Sequence, residues 1–379
     1  MEKIIFYGYI TLSIIFSFII FLLCVSVLQF HKKTGEKIFR LKKTPKVSII
    51  IPTFNLTKRI EDTLKSVSEI DYSNKEIIIP ADGNIENEGI EIAKKYGAKL
   101  VLNKKRLGKP KASNIAVKKS KGGYILFLDD DTTVEKDIIK KLLSRMGENV
   151  GIVIPKYRTK NVESVLQKLI NMEELILQTS NKISTYFEGT SNVIRGCCFL
   201  VKKDVFNEIG GFKQTLTEDI EFSANLRKNG YRIVFEHNAL ACTEEHEILK
   251  TWFRHKKRCG KGAFYTFLHH KKFFLTRPSL IFYLILPFLI HSAFFIFMIY
   301  AFLSSDFQAV FFGILLLAFM DFIQYTILLL PEVKNFKFRW IAIFVFIYLP
   351  MVLLAYFVGI LSGIKDKFLG RDELIFKDW

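Results

Sequence analysis

The sequence predicts an α/β fold, a doubly wound and mostly parallel sheet, joined to transmembrane helices. Three observations carry this expectation. Short apolar runs alternate with helical patterns across residues 47–155, with short loops between them. One run, Gly123-Tyr124-Ile125-Leu126-Phe127-Leu128, stops at three consecutive carboxylates, Asp129, Asp130 and Asp131. Half of the 379 residues are hydrophobic, 37 of them Phe, and they are gathered at the two ends of the chain. An ordinary cytosolic enzyme is not this apolar.

The strands and helices follow in order. Residues 47–52 form a β-branched run ending at Pro52-Thr53-Phe54-Asn55, with a helical pattern over 57–67. A second strand, 76–80, ends at Ala81-Asp82-Gly83-Asn84 and leads into a helix over 86–96. A third, 98–102, is followed by a basic loop, 103–109, and a helix over 111–119. The fourth strand is 124–128, with a helix over 135–146, and 151–155 makes a fifth. Residues 164–183 carry apolar positions at helical spacing, suited to core packing or to lining a pocket.

The apolar ends are long enough to span. Residues 4–30 carry no charge and, at ~1.5 Å per residue, exceed the ~30 Å hydrocarbon core. A cleaved signal would need an apolar region of ~7–15 residues and a small-residue cleavage site, and residues 25–30 offer neither. The expected organisation is an anchor (1–30), a basic juxtamembrane linker (31–46), an α/β domain (47–262), an interfacial segment (263–278), three transmembrane helices (279–364) and a tail (365–379). The spans are expected at 280–303, 309–330 and 341–363. Basic residues on both sides of the α/β domain (His31, Lys32, Lys33, Lys37, Arg40, Lys42 and Lys43; then Arg254 through Arg258) place it in the cytoplasm. Loop 304–306 is then outside, and Lys334, Lys337 and Arg339 put the next loop inside. Parity leaves both termini outside, whereas Lys365, Lys367 and Arg371 oppose that, so the last span can instead be re-entrant or interfacial. Asp321, within a span, is expected to serve helix packing rather than a substrate path.

The net charge of +18 raises the question of nucleic acid. Much of the excess is juxtamembrane, where anionic headgroups attract it, and no basic motif interleaved with aromatics is present. Membrane lipids are therefore the expected partner, and nucleic acid is not. Five cysteines with no CxxC pair, four of them in the cytoplasmic part, read as reduced thiols.

Polar groups at three strand ends suit a nucleotide: Asn55, Asp82 and the 129–131 carboxylates converge on one edge of the predicted sheet. Three adjacent negative charges repel unless a cation neutralises them. Their hard oxygens suit Mg²⁺ or Mn²⁺, which in turn suit a diphosphate. The competing reading is a solvated acidic turn that caps the next helix through Thr132 or Thr133. Asp82-Gly83 has its own simple alternative, a plain turn.

Taken together, Val47-Ser48-Ile49-Ile50-Ile51-Pro52-Thr53-Phe54-Asn55, Asp82-Gly83, Gly108-Lys109-Pro110-Lys111-Ala112-Ser113-Asn114, Leu128-Asp129-Asp130-Asp131-Thr132 and Thr217-Glu218-Asp219 resemble the family 2 glycosyltransferases in order and spacing. The resemblance covers about residues 45–260. It implies the GT-A fold and an inverting, metal-dependent transfer from a nucleotide-diphosphate sugar. The flanking spans resemble the membrane-integrated branch, which includes hyaluronan, chitin, cellulose and lipid-oligosaccharide synthases. By resemblance Pro52, Thr53, Phe54 and Asn55 hold the nucleoside, and Asp82 accepts from the uracil imide. The family commonly has a further acid before it, where this chain has Ala81. Arg106 and Lys109 face the diphosphate or nucleoside. Asp129 reaches the sugar or ribose, Asp131 binds Mg²⁺ or Mn²⁺, and Asp130 helps substrate or backbone. Asp219 is the general base, with Glu218 beside it at the acceptor. The alternative for that motif is a Thr217 helix cap with two acids on the helix dipole.

His255-Lys256-Lys257-Arg258-Cys259 aligns with the family's Gln-x-x-Arg-Trp. Arg258 is suited to gripping a diphosphate. His255 replaces the Gln, and Cys259 replaces a Trp that floors an acceptor sugar. Gly196 and a strand over 197–201 are implied to support the acceptor pocket. A polyprenyl-linked or other glycolipid acceptor is expected, and a processive polysaccharide synthase is the alternative. From another class comes a non-catalytic membrane scaffold that binds nucleotide sugars.

Overall fold

The computed structural model describes residues 7–8, 10–11, 13–18, 22, 25, 44–103, 106–191, 194–275, 286–330 and 338–371. The basic linker 31–43, Cys24, Lys104, Lys105, residues 279–285, Lys334, Lys337, most of the expected anchor and the tail beyond Arg371 lie outside the described residues.

Eight strands form one sheet in the order β3-β2-β1-β4-β7-β6-β8-β5. They are β1 (Val47–Ile50), β2 (Lys75–Ala81), β3 (Lys99–Leu102), β4 (Tyr124–Leu128), β5 (Thr132–Val134), β6 (Val150–Thr159), β7 (Cys198–Lys202) and β8 (Arg232–Thr243). The first four are parallel to one another. Their connections are α1 (Glu61–Ser68, entered through a 3-10 turn at Lys58–Ile60), α2 (Asn87–Lys95) and α3 (Lys109–Lys119). The chain steps outward from β1 to β3, then α3 carries it back to β4 on the far side of β1. The order therefore reverses between β1 and β4, where open α/β sheets bind ligands beyond the carboxyl ends of their strands.

Burial explains β1, β2 and β4. Val47, Ile49, Ile50, Ile78, Ile79, Ile125, Leu126 and Leu128 are all sealed between helical layers. Each fully buried side chain of this size contributes roughly 1.5–3 kcal/mol. The second half of the sheet is mixed. β7 runs antiparallel to β4, pairing Phe127 with Phe199. The strand expected at 151–155 extends over ten residues and lies beyond β7, antiparallel to it and parallel to β8. Between Pro155 and Lys156 the register shifts, with His237, Asn238 and Ala239 of β8 bulging out, so that the distal half of β6 stays paired with β8. β5 closes the sheet antiparallel to β8, and only 138–143 of the helix expected over 135–146 forms, as α4 (Ile138–Leu143).

The remaining helices are α5 (Val165–Glu188), α6 (Lys203–Glu208), α7 (Glu218–Lys228), α8 (Leu249–Leu275), α9 (Leu286–Leu303), α10 (Phe307–Leu329), α11 (Phe338–Ile343) and α12 (Leu349–Phe368), with a π-helical stretch Phe344–Tyr348 joining the last two. Ser164 and Gln167 form a reciprocal capping box at the start of α5. Its Leu169, Met172, Leu175 and Ile176 pack with Phe344, Val345 and Tyr348 rather than with the sheet. Gln178 turns the other way and donates to the Tyr157 carbonyl at 2.8 Å. α5 is thus the layer between the sheet and the apolar helices.

A polar lock fixes that junction. Lys256 of α8 meets Glu173 of α5 at 2.7 Å, and the Tyr348 hydroxyl donates to Glu173 at 2.5 Å while accepting from Trp252 Nε1 at 3.1 Å. α8 continues past residue 262, packs along α12 and departs from helical geometry at His270. Among the described residues two helices are long and apolar enough to cross a membrane, Phe307–Leu329 and Arg339–Phe368, and Leu289–Leu303 is a shorter apolar one. Asp321 is buried and pairs with His291 across α9 and α10 at 3.1 Å, the packing arrangement expected of it.

Candidate active site

The loops that follow β1 and β2 are stitched together at the switch point. Thr53 N donates to Pro80 O at 3.1 Å, and Asp82 N donates to Thr53 O at 2.9 Å. Gly83 sits at φ 99°, and a Cβ there would fall 2.5 Å from the Phe54 carbonyl, so only glycine lets the two loops approach. Asn55 Oδ1 accepts from Asn84 N at 3.0 Å. The Arg106 guanidinium lies 4.6 Å from the exposed Phe54 ring, a cation–π contact across the mouth of this cup. Asp82 is buried, and its carboxylate accepts from Leu107 N at 2.8 Å and Gly108 N at 2.6 Å. It therefore also anchors the loop that begins α3, a second duty beyond the plain turn considered for it.

Beside this cup lies a narrow cleft, of about 10 Å³ open to a water-sized group, lined in part by Pro52, Lys109, Asp129, Gly196, Glu218 and Asp219. Lys109 Nζ donates to Asp129 Oδ1 at 2.6 Å and lies 3.7 Å from Glu218 Oε1. Burial works against its charge, but Asp129 and Glu218 outweigh that and raise its pKa above the usual lysine value. The Asp129 backbone N–H donates to Cys197 O at 2.9 Å, which fixes the end of β4 against β7. Asp131 Oδ1 accepts from the Thr132 and Thr243 hydroxyls, each at 3.3 Å, and its Oδ2 lies 3.7 Å from Arg59. Burial, then the flanking Asp129 and Asp131, lifts the Asp130 carboxyl to about 7. Burial and Asp129 raise Asp131 too.

Asp219 stands in the first turn of α7. Its Oδ2 accepts from Gly196 N at 3.0 Å and its Oδ1 from Ile220 N at 2.9 Å. Burial raises the pKa of both Asp219 and Glu218, with Lys109 opposing. The alternative reading of Thr217 as a side-chain cap does not hold, because its hydroxyl makes no capping bond. That hydroxyl instead packs on Gly262 of α8, where a Cβ would lie 2.5 Å from Thr217 Oγ1. α8 thus presses directly on the turn that presents Asp219.

His255 and Arg258 do not line this cleft. His255 contacts Cys259 Sγ at 3.6 Å and stacks near His246, with ring centroids 5.1 Å apart. Burial, with Arg258 and Lys256 close by, holds His255 down at about 3, so the ring is neutral. Sequence reasoning missed three features. Arg59 reaches Asp131 and also donates to Glu244 at 2.6 Å. Arg195 bridges Glu174 and Glu245. Ser113 sits fully buried in the floor of the cleft, and its Oγ has no hydrogen-bond partner, an arrangement that costs roughly 1–3 kcal/mol if nothing fills it.

Among the described residues no three His, Cys, Asp or Glu side chains gather into a metal cage. Asp129 and Asp131 nonetheless fit a hard divalent ion in part. Both present carboxylate oxygens, which here face Lys109 and Arg59 and would have to exchange those partners for the ion, and a diphosphate can complete the shell.

The parallel β1–β4 half, the mixed second half and the acidic cleft at the switch point define a GT-A glycosyltransferase fold. Residues 48–210 match the family described as Glycosyl transferase family 2, and the chain carries a domain of that family. It is 26% identical over 312 residues to the poly-beta-1,6-N-acetyl-D-glucosamine synthase of Staphylococcus epidermidis, covering 77% of this chain and 76% of that protein. It is 30% identical over 270 residues to a Bacillus subtilis protein named "Probable glycosyltransferase YdaM", covering 67% and 64%. Among solved structures, the mannosyltransferase PcManGT from Pyrobaculum calidifontis, in complex with GDP-Man and Mn²⁺, superposes with a TM-score of 0.67 at 16% identity, over 96% of this chain and 99% of that one.

Proposed function

We propose that this chain is a membrane-integrated, inverting glycosyltransferase that moves a sugar from a nucleotide diphosphate, UDP by preference, to an acceptor at the cytoplasmic membrane face. The observation that supports it most directly is the meeting of Lys109, Asp129, Glu218 and Asp219 in one cleft beside the Phe54–Asp82–Arg106 cup. The cup suits a nucleoside. Pro52, Thr53, Phe54 and Asn55 wall it, and Asp82 offers remaining acceptor capacity to an imide N–H. Lys109 and Arg106 face the diphosphate.

Asp131, with Asp129 beside it, is where a divalent ion, Mg²⁺ or Mn²⁺, would sit, supplying Lewis-acid neutralisation of the departing diphosphate. Asp219 takes the proton of the acceptor hydroxyl, whose oxygen then forms the new bond to the anomeric carbon as the bond to the diphosphate oxygen breaks. One displacement inverts the centre, and no second nucleophile is needed. Gly196 N and Ile220 N hold the carboxylate in place for this step.

Membrane integration is supported by the two long apolar helices and by the outward Phe and Ile side chains of α9 and α10, among them Phe295, Ile296, Phe311 and Phe319. Cys259 in place of a stacking Trp favours single addition to a polyprenyl-linked or other glycolipid. A processive polysaccharide synthase is the second reading, favoured by the similarity to a poly-N-acetylglucosamine synthase. Isolated membranes given labelled nucleotide sugars with Mg²⁺ or Mn²⁺ should yield a labelled membrane product that EDTA abolishes. A ladder of chain lengths selects the second reading, and a metal-indifferent or absent reaction defeats the proposal.

Gly262→Val tests the contact between α8 and the catalytic turn. The added side chain must displace Thr217, and a shift of about 1 Å at Asp219 should lower kcat on the order of 10²-fold. Donor binding, which rests on the other side of the cleft, should hold. Equal losses in binding and turnover would count against this arrangement.

A further inference from the structure

Between the nucleoside cup and Asp219 runs a loop, residues 211–217, that touches both. Its beginning is fixed. The Asn114 side chain of α3 donates to Phe212 O at 2.7 Å and accepts from Phe212 N at 3.0 Å. Gly211, at φ 70°, lies so close that a Cβ would fall 2.7 Å from Asn114 Oδ1. The other end is not held in this way. Thr217 leads into α7 without a side-chain capping bond, and Gln214 Oε1, Thr215 Oγ1 and Thr217 Oγ1 are buried with no hydrogen-bond partner. Buried polar groups in folded proteins are nearly all paired, so this cluster of unmet ones leaves the segment with bonds to gain by shifting.

The middle of the loop reaches the cup. Gln214 Nε2 donates to Leu107 O at 2.9 Å, across 107 residues of sequence. Leu107 is held from its other side by Asp82. Its N–H is shared between Oδ1 at 2.9 Å and Oδ2 at 2.8 Å, while Gly108 N donates to Oδ2 at 2.6 Å. An imide N–H arriving at Asp82 adds a donor to the same two oxygens. The Leu107 bond, spread over both, is the one that must narrow to a single oxygen. Its peptide then turns, and the Leu107 carbonyl carries Gln214 with it.

We propose that Gln214 is a positioning residue that couples nucleobase binding at Asp82 to the presentation of Asp219. With Phe212 clamped, a displacement received at Gln214 passes forward through 215–217 into the first turn of α7. That turn carries Asp219, whose oxygens accept from Gly196 N and Ile220 N. The base is then aligned only when a donor is in place. The inference rests on the roles proposed above for Asp82 and Asp219 and adds a link between them.

Hydrogen exchange on the purified full chain, with UDP and Mg²⁺ as the probe, tests this. Segments 194–198 and 217–222 hold the two amides bonded to Asp219. In the wild-type protein UDP should slow their exchange about fivefold, the lower end of ordinary coupling between sites. Gln214→Leu has no polar atom to offer Leu107 O, and Gln214→Glu has only acceptors. Both variants should bind UDP within about threefold of wild type by calorimetry and lose the slowing. Their kcat should fall on the order of 10-fold with little change in donor KM. A residue that only filled space would shift the thermal melt but not the difference that UDP makes. Slowing retained in both variants assigns the link to the Lys109–Glu218 contact and overturns the inference. So does a wild-type protein that binds UDP with no slowing, and the glycosyltransferase reading survives either result. If neither variant folds, Gln214 is a structural prop and the inference is again overturned. Failure of the wild-type chain to bind UDP removes the nucleoside role of Asp82 and overturns both.

Discussion

Alanine at both Asp129 and Asp131 is expected to lower sugar transfer by at least 10³-fold without unfolding the domain. The two halves of that expectation have different origins. Removing preorganised charge stabilisation at one position in an active site commonly costs about 10²–10³-fold, and here two carboxylates that would hold the ion go together. Stability should move little, because these side chains are partly exposed and repel each other. Burial and mutual repulsion raise Asp130 and Asp131 above the ordinary aspartate value, so the folded state gains nothing from crowding them. Without Asp129, Lys109 loses its 2.6 Å partner but keeps Glu218 as a neighbour at 3.7 Å. Asp131 leaves Arg59 still bonded to Glu244. Product formation in membranes and a thermal melt of the purified protein separate the two halves. Transfer at the wild-type rate would remove the metal role of the triplet, whereas a melt lowered by many degrees would mean that the triplet holds the fold.

The parallel half of the sheet was readable because the centres of β1, β2 and β4 are buried on both faces and read as apolar runs, as Ile49-Ile50 and Ile125-Leu126 show. β8 was not, because it passes from the buried Ile233-Val234 pair to Glu236, His237 and Asn238 and carries a bulge opposite Pro155, so neither strict alternation nor a continuous run survives. β5 is three residues long and directly follows the acidic triplet, where a helix cap was an equally sound reading. The site divides in the same way. Asp129 drew attention as one of three adjacent carboxylates at a strand end, and Asp219 only through the resemblance of Thr217-Glu218-Asp219 to a family motif. Arg59 belongs to a charged surface turn, and only the approach of Glu244, 185 residues away, turns it toward Asp131. Ser113 is a small residue inside a helix, and its setting is the rings around it. Those rings, Phe127, Phe199 and Phe212, come from β4, β7 and the loop before α7, so tertiary packing alone assembles them.

Asp219→Asn should leave nucleotide-sugar binding near its wild-type level and reduce turnover by about 10²–10⁴-fold, the range associated with a positioned general base. The change removes the charge and the proton-accepting ability while keeping the shape. The local geometry predicts a further penalty. Both carboxylate oxygens accept backbone N–H groups, from Gly196 and from Ile220, and an amide can satisfy one but turns an NH₂ toward the other. Asp219→Asn should therefore also loosen the 196 turn, and Asp219→Ala, which opposes neither donor, should melt no lower than the Asn variant. Burial raises Asp219 above the ordinary aspartate pKa, which strengthens it as a base, while Lys109 nearby keeps it from rising further. Glu218→Gln supplies the comparison. Glu218 touches Lys109 at 3.7 Å and makes no contact of its own with the Gly196 turn, so its loss should fall mainly on donor affinity. If calorimetry shows donor binding intact in Asp219→Asn and turnover persists above a tenth of wild type, the base lies elsewhere in the cleft. If binding collapses with turnover, Asp219 is holding the site together rather than taking the proton.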